Sequence, residues 1–228
     1  MRCDLGKIST IAIDGPVASG KTTVGMALAQ GLGYSFVDTG LMYRAVTLMS
    51  LIVGADLENE KRVTEISGDI KIEVDVDHLS KESRIIVNGS DITDQLRNRD
   101  VELGVSIVSG FSGVRRAMVE HQRGLASFGN IVMVGRDIGT VVIPHADLKI
   151  FLTASIEERS NRRYREKKLA GETVSMSQVR EDTRRRDEFD SGRSDSPLMI
   201  GADAYVLETD NMDLGQVVQD IIERIGNT

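Results

Sequence analysis

Five short apolar runs punctuate the chain: Ile8–Asp14, Tyr34–Asp38, Ile131–Gly135, Leu148–Leu152 and Ala204–Leu207. They are too continuous for half-solvated strands and too short for buried helices, so they read as strands covered on both faces. Helical spacing fills the stretches between them. Val24, Ala27, Leu28 and Gly31 or Leu32 recur on one face, with Gly33 as a stop. Leu214, Val217, Val218, Ile221, Ile222 and Ile225 form the clearest apolar stripe, near the C-terminus. Ser155 with Glu158, and Ser175 with Gln178, are capping boxes that open two helices joined around Gly171. This alternation predicts a mostly parallel α/β sheet with helices on both faces.

One region has a different period. Ile70–Val76 alternates apolar and polar residues, and Arg84–Gly89 follows after a polar turn around His78–Ser83. Antiparallel strands with one solvated face are expected there. The domain reading is therefore a core of residues 1–64 and 105–228 and a small β-rich insert at 65–104. The insert lies between a helix at 41–52 and one starting near Val114.

Composition narrows the class. The chain has 228 residues, 40% of them apolar, which suffices for one large α/β core. Its net charge of −7 argues against nucleic acid as a partner. The single cysteine, Cys3, cannot form an internal disulfide and reads as incidental. No signal-like apolar stretch opens the chain, and the longest apolar-rich segment, Ala45 to Ala55, is too short to span a bilayer. A cytoplasmic monomer that does not bind membranes is expected. His78, His121 and His145 lack metal-ligand spacing and read as structural or exposed.

The chemistry starts after the first strand. Gly15, Pro16, Val17, Ala18, Ser19, Gly20, Lys21, Thr22 and Thr23 fit G-x-x-x-x-G-K-[ST], between a strand and a helix. Gly15 and Gly20 let the backbone turn its N–H groups toward phosphate oxygens. Lys21 would bring a positive charge to the β/γ-phosphates, and the Thr22 hydroxyl would serve Mg²⁺. The next helix aims its N-terminal dipole at the same anions. ATP with Mg²⁺ is the expected ligand.

Three further motifs lie at strand ends: Asp38-Thr39-Gly40, Gly135-Arg136-Asp137 and the segment after Thr153. In open α/β sheets that edge is where ligands bind. Residues 159–193 hold eleven Lys and Arg against seven acids, a positive zone in an acidic chain. Beside a triphosphate site it reads as a lid, at about 155–190, whose fixed guanidinium groups would stabilise the transferring phosphoryl. No N-K-x-D guanine-reading motif appears. Arg44, Arg136, Arg186 and Arg193 sit in segments that could converge on a second anion, which a hydrolase would not need. A lid that excludes water also suits a kinase. A small-molecule kinase is favoured over a GTPase, a motor or a nucleotide-dependent binding module.

The segments IAIDGPVASGKTT, DTGLMYR, VGRDIGTVVIPHADLKIFLTAS, EERSNRRY and RRRDEFDSGRSDSPL resemble the bacterial cytidylate kinase family, in order and at family-like spacing. The resemblance spans nearly the whole chain and includes the insert. It implies a three-layer P-loop kinase core with a nucleotide-facing insert and a helical lid. It implies transfer of the γ-phosphoryl of ATP to CMP or dCMP; the runner-up reading is another phosphate-loop kinase, for UMP, AMP or a small alcohol. It implies that Arg159, Arg162 and Arg163 act with Lys21 on the transferring group. Thr39, Tyr43 and Arg44 would face the acceptor nucleotide, with Arg44, Arg136 and Arg193 on its phosphate. Ser106, Arg115 and Asp137 would read cytosine, and Asp190 would bond the sugar.

Other readings stay open beside these. Arg44 could be a surface arginine, and Asp137 could hold Mg²⁺ through water. One of Arg115 and Arg116 is only a solvated charge. Asp38 could cap its helix or orient Arg44 or Lys21. Phe189 stands where relatives often carry arginine, so neighbouring arginines would have to cover any phosphate contact there.

Overall fold

The computed structural model describes residues 8–76 and 83–226. Cys3, His78 and most of the turn expected after the first insert strand lie outside the described residues. Five parallel strands form the main sheet: β1 (Thr10–Asp14), β2 (Ser35–Asp38), β6 (Ile131–Gly135), β7 (Leu148–Thr153) and β8 (Tyr205–Glu208), in the order β2-β6-β1-β7-β8. They match the five apolar runs to within two residues at each end.

Strand alternation sorts the side chains into two cores. Ile11, Ile13, Phe36, Val132 and Val134 face one layer, with α1 (Lys21–Leu32) and α8 (Leu214–Gly226) packed on them. Ala12, Val37, Ile131 and Met133 face the other, under α2 (Thr39–Ile52) and α5 (Ser112–Ala126). The sheet is thus the middle of three layers.

The expected face of α1 needs correcting. Ala27 is only half-buried, while Gly25 and Ala29 are buried with Val24 and Leu28. A Cβ on Gly25 would lie 2.6 Å from Val134 and 2.9 Å from the Phe36 ring, so the helix sits on the sheet through that glycine. Gly33 does end the helix, in a left-handed conformation (φ 70°). In α8 the stripe is buried at Val217, Ile221 and Ile225, but Leu214 stays exposed.

The second sheet is antiparallel: β3 (Ile72–Val76), β4 (Ser83–Val87) and β5 (Ser90–Asp91). Its inward residues Ile72, Ile85 and Val87 belong to the same buried cluster as α2 and α5. Among the described residues the insert therefore shares the main core. The expected limits, 65 and 104, fall inside α3 (Glu60–Asp69) and α4 (Arg99–Val108). Helix α4 packs along α2, where a Cβ on Gly104 would sit 3.1 Å from Thr47.

Helices α6 (Ile156–Leu169) and α7 (Met176–Ser191) pair with each other, and Gly171 turns between them at φ 79°. Ser155 and Ser175 cap them, accepting from Glu158 N–H and Gln178 N–H at 3.2 Å each. No described helix is long and apolar enough to cross a membrane.

Candidate active site

The phosphate loop joins β1 to α1. Gly15 (φ 153°) is required by space as well as by angle, because a Cβ there would fall 2.0 Å from the Leu152 carbonyl oxygen. Gly20 (φ 93°) is the residue before α1, and Ala18 also takes a positive φ of 56°. Lys21 is buried, and its Nζ donates back to the Pro16 carbonyl (2.6 Å) and the Ser19 hydroxyl (3.2 Å). Burial first, then repulsion by Arg136, pushes its pKa well below the ordinary lysine value. An anion in the loop restores the charged form.

Asp38 settles one open reading. It caps α2, accepting from Gly40 N–H at 2.9 Å, and its other oxygen takes the Thr22 hydroxyl at 2.7 Å. It makes no hydrogen bond to Arg44 or Lys21 among the described residues. Because the Thr22 hydroxyl spends its proton on Asp38, its lone pairs are free for a cation. Among the described residues no group of three or more His, Cys, Asp or Glu side chains could hold a metal ion. His145 is exposed and His121 half-buried.

The three candidate lid arginines diverge. Arg159 donates to the Val17 carbonyl (3.2 Å) and to Asp187 (2.6 Å). Arg162 donates to the Ser19 carbonyl (3.3 Å) and to Thr209. Both therefore close over the loop. Arg163 instead pairs with Glu102 on α4 and Glu166. Asp187, which sequence reasoning missed, also accepts weakly from the Val17 N–H at 3.4 Å.

A second cluster faces the loop and draws on five elements. At its centre is Asp190 of α7, whose side chain has no exposure and binds three arginines. Arg136 donates to it at 2.6 Å, Arg193 at 2.5 Å and Arg186, more weakly, at 3.4 Å. Burial works to raise the Asp190 pKa, but the three guanidinium groups outweigh it and bring it to about 2. Arg186 also donates to the Ser106 hydroxyl, and Arg193 to the Ser109 hydroxyl at 3.0 Å. The Arg193 guanidinium lies 5.1 Å from the centre of the Phe189 ring. Phe189 thus fills its place by carrying an arginine on its face. Burial, then the neighbouring arginines, lowers Arg193 to about 10 despite Asp190.

Arg115 and Asp137 form a buried ion pair next to this cluster. Arg115 also donates to the Ser109 carbonyl at 3.1 Å and lies 5.4 Å from the Tyr43 ring centre. Arg116 is exposed, so it is the solvated charge of the two. Arg115 and Arg193 each keep a buried Nε–H with no partner among the described residues.

Two expected residues sit differently. Thr39 is buried and its hydroxyl donates to the Val134 carbonyl (2.9 Å), so in this state it supports the sheet edge. Arg44 is half-buried and donates to the Leu96 carbonyl (3.1 Å), on the insert side. Burial first, then repulsion by Arg163 and Arg186, lowers its pKa to about 10. A plain surface arginine would show neither the burial nor the crowding.

A family model described as cytidylate kinase matches residues 11–227. A protein named cytidylate kinase from Caldanaerobacter subterraneus subsp. tengcongensis is 43% identical, over 94% of this chain and 93% of its own. A second of that name, from Anoxybacillus flavithermus, is 44% identical over 95% of each. The crystal structure of an uncharacterized protein from Eubacterium ventriosum shares the fold, with a TM-score of 0.55 at 12% identity, covering 97% of this chain and 99% of that one.

Proposed function

The chain belongs to the cytidylate kinase family, and on that premise we propose that it transfers the γ-phosphoryl of ATP to CMP or dCMP, giving ADP and CDP or dCDP. The observation that carries the reading in this chain's own geometry is the convergence of Arg136, Arg186 and Arg193 on buried Asp190, beside the Arg115–Asp137 pair. A second anion, attached to a base with its own donors and acceptors, suits that cleft.

Each residue then has a task. Gly15 to Thr23 hold the triphosphate through backbone N–H groups, and Lys21 stabilises the β/γ oxygens. Arg159 and Arg162 cover the loop, while Arg163 lies nearer the acceptor side, where it crowds Arg44. Thr22, backed by Asp38, would hold Mg²⁺ on ATP, whose charge neutralises the phosphates. Arg44, Arg136 and Arg193 fix the acceptor phosphate for in-line attack. Its oxygen is already anionic, so no strong base is needed, and the chemistry is positioning plus electrostatics.

Base choice follows from Asp137. Arg115 occupies Asp137 Oδ2, and Oδ1 remains an acceptor for the exocyclic amine of cytosine. Arg115 and the Ser106 hydroxyl face the ring acceptors. Uracil would set a carbonyl against the carboxylate. A sugar hydroxyl reaches Asp190 once one of its arginines turns to the phosphate. Every residue in this scheme comes from one chain, so a monomer suffices.

Coupled ADP release across CMP, dCMP, UMP, AMP and shikimate tests the reading. CMP and dCMP should give the highest kcat/KM. A preference for UMP or AMP would overturn the base assignment, and no acceptor-dependent ADP would make the protein a binding module. Asp137→Asn should cut the CMP-over-UMP preference about tenfold, the value of one hydrogen bond to a charged group; unchanged discrimination removes Asp137 from base reading.

A further inference from the structure

Asp14 ends β1, one residue before the phosphate loop, and its side chain crosses to the exit of the neighbouring strand. Oδ1 accepts from Ile138 N–H and Oδ2 from Gly139 N–H, both at 2.7 Å. The carboxylate is buried, with 5% exposure. Ile138 and Gly139 open the π-helical turn Ile138–Val142, directly after Arg136 and Asp137. Their N–H groups would otherwise be unsatisfied at a helical start. Gly139 allows the approach: a Cβ there would lie 3.3 Å from Asp14 Oδ2 and 3.2 Å from the Lys149 side chain.

The two residues between are thereby held at both ends. On one side, Gly135 pairs with Asp14 in the sheet register, and a Cβ on it would fall 2.6 Å from the Thr39 hydroxyl. On the other, the Asp14 carboxylate holds residues 138 and 139. Arg136 reaches Asp190 and Asp137 reaches Arg115 from this two-residue span. We propose that Asp14 is a positioning residue, by which the strand that launches the donor loop also sets the aim of Arg136 and Asp137. The charged groups that face it are Asp137, which repels it, and Lys21, which attracts it.

The proposal rests on the reading of Arg136 and Asp137 as acceptor residues. Asp14→Asn keeps the shape but sets an amide N–H against one backbone N–H. Gly139→Ala disturbs the same contact without touching charge near Lys21. Initial rates with CMP and ATP varied separately give the readout. For Asp14→Asn the KM for CMP should rise about tenfold and that for ATP less than about twofold, and Gly139→Ala should raise the CMP value about threefold. A folded Asp14→Asn variant with unchanged KM for CMP overturns the proposal. So does an equal rise for ATP, which would mean that Asp14 acts through Lys21. If Asp14→Asn does not fold, Gly139→Ala decides alone, and an unchanged KM for CMP overturns the role. Wild-type protein without CMP-dependent ADP release fails the functional reading; an active wild type with unmoved variants fails only Asp14.

Discussion

The donor loop and the acceptor cluster lie at the same edge of one sheet, yet they are built on opposite plans. The loop is nine consecutive residues whose backbone, on the reading proposed above, would do the binding. Its geometry comes mostly from local backbone turns, such as the positive φ at Ala18 and at Gly20 before α1, with Gly15 fitted against the Leu152 carbonyl of β7. The Asp190 cluster takes side chains from α4, the β6 exit, α7 and the segments just after α4 and α7, separated by up to 87 residues (Ser106 to Arg193). It is held by ion pairs, with Asp190 as their common centre. A site made of backbone tolerates a side-chain change outside its key lysine and the glycines that space and angle require. A site made of paired charges transmits one loss to every partner.

The largest effect should come from the local half. Lys21→Met should lower kcat about 10³-fold with circular dichroism unchanged, because one preorganised charge at the transferring group is lost while methionine keeps most of the buried stem. A variant with wild-type turnover would refute that role, and a loss of stability would blur the contrast between halves.

Asp190→Ala should damage the other half through folding as well as binding. It strands Arg136, Arg186 and Arg193, and removal of one partner from a buried ion pair costs about 3 kcal/mol or more in urea unfolding. The pH window follows from the sign of the shift. The folded pKa of about 2 lies below the unfolded value near ~4, so this stability is present above pH ~4 and is lost as pH falls toward 2. Asp14 has the opposite sign. Burial, with Asp137 adding, raises it to about 6 despite its two N–H bonds, so its contribution is full below pH ~4 and is lost as pH rises through 6. Urea unfolding of wild type and Asp190→Ala from pH 2 to 7 separates the two: the variant should lose the drop below pH ~4 and keep the slope around 6.

The smallest effect should sharpen the comparison within the acceptor side. Phe189→Ala removes the ring that carries Arg193, worth about 0.5–1 kcal/mol at a half-exposed site, so KM for CMP should rise about threefold with kcat unchanged. An unchanged KM would reduce Phe189 to a surface residue.

Much of this was legible along the chain, and the limits are physical. The five strands and the loop were readable because burial on both faces and phosphate binding by backbone each leave a consecutive pattern. The α1 face was misread at Ala27 because apolarity alone does not show where a helix comes closest; Gly25 does that through an absent side chain. Asp187 stood in a run of mixed charge, where nothing sequential tells a paired carboxylate from a solvated one, although Arg186 beside it was among the arginines expected to converge on an anion. The expected insert limits at 65 and 104 followed a change of period, whereas the core runs continuously from α2 and α5 into Ile72, Ile85 and Val87.

By itself the sequence determined the parallel layered sheet, the triphosphate loop and the residue types available for a second anion, since these depend on period and adjacency. Only the tertiary structure decided which charges meet. It turned Arg159 and Arg162 to the loop and Arg163 to Glu102, made Asp190 the centre of three arginines, and brought Asp14 to the exit of β6. Pairing between distant residues depends on strand order and helix packing, and these are properties of the folded chain that no local window contains.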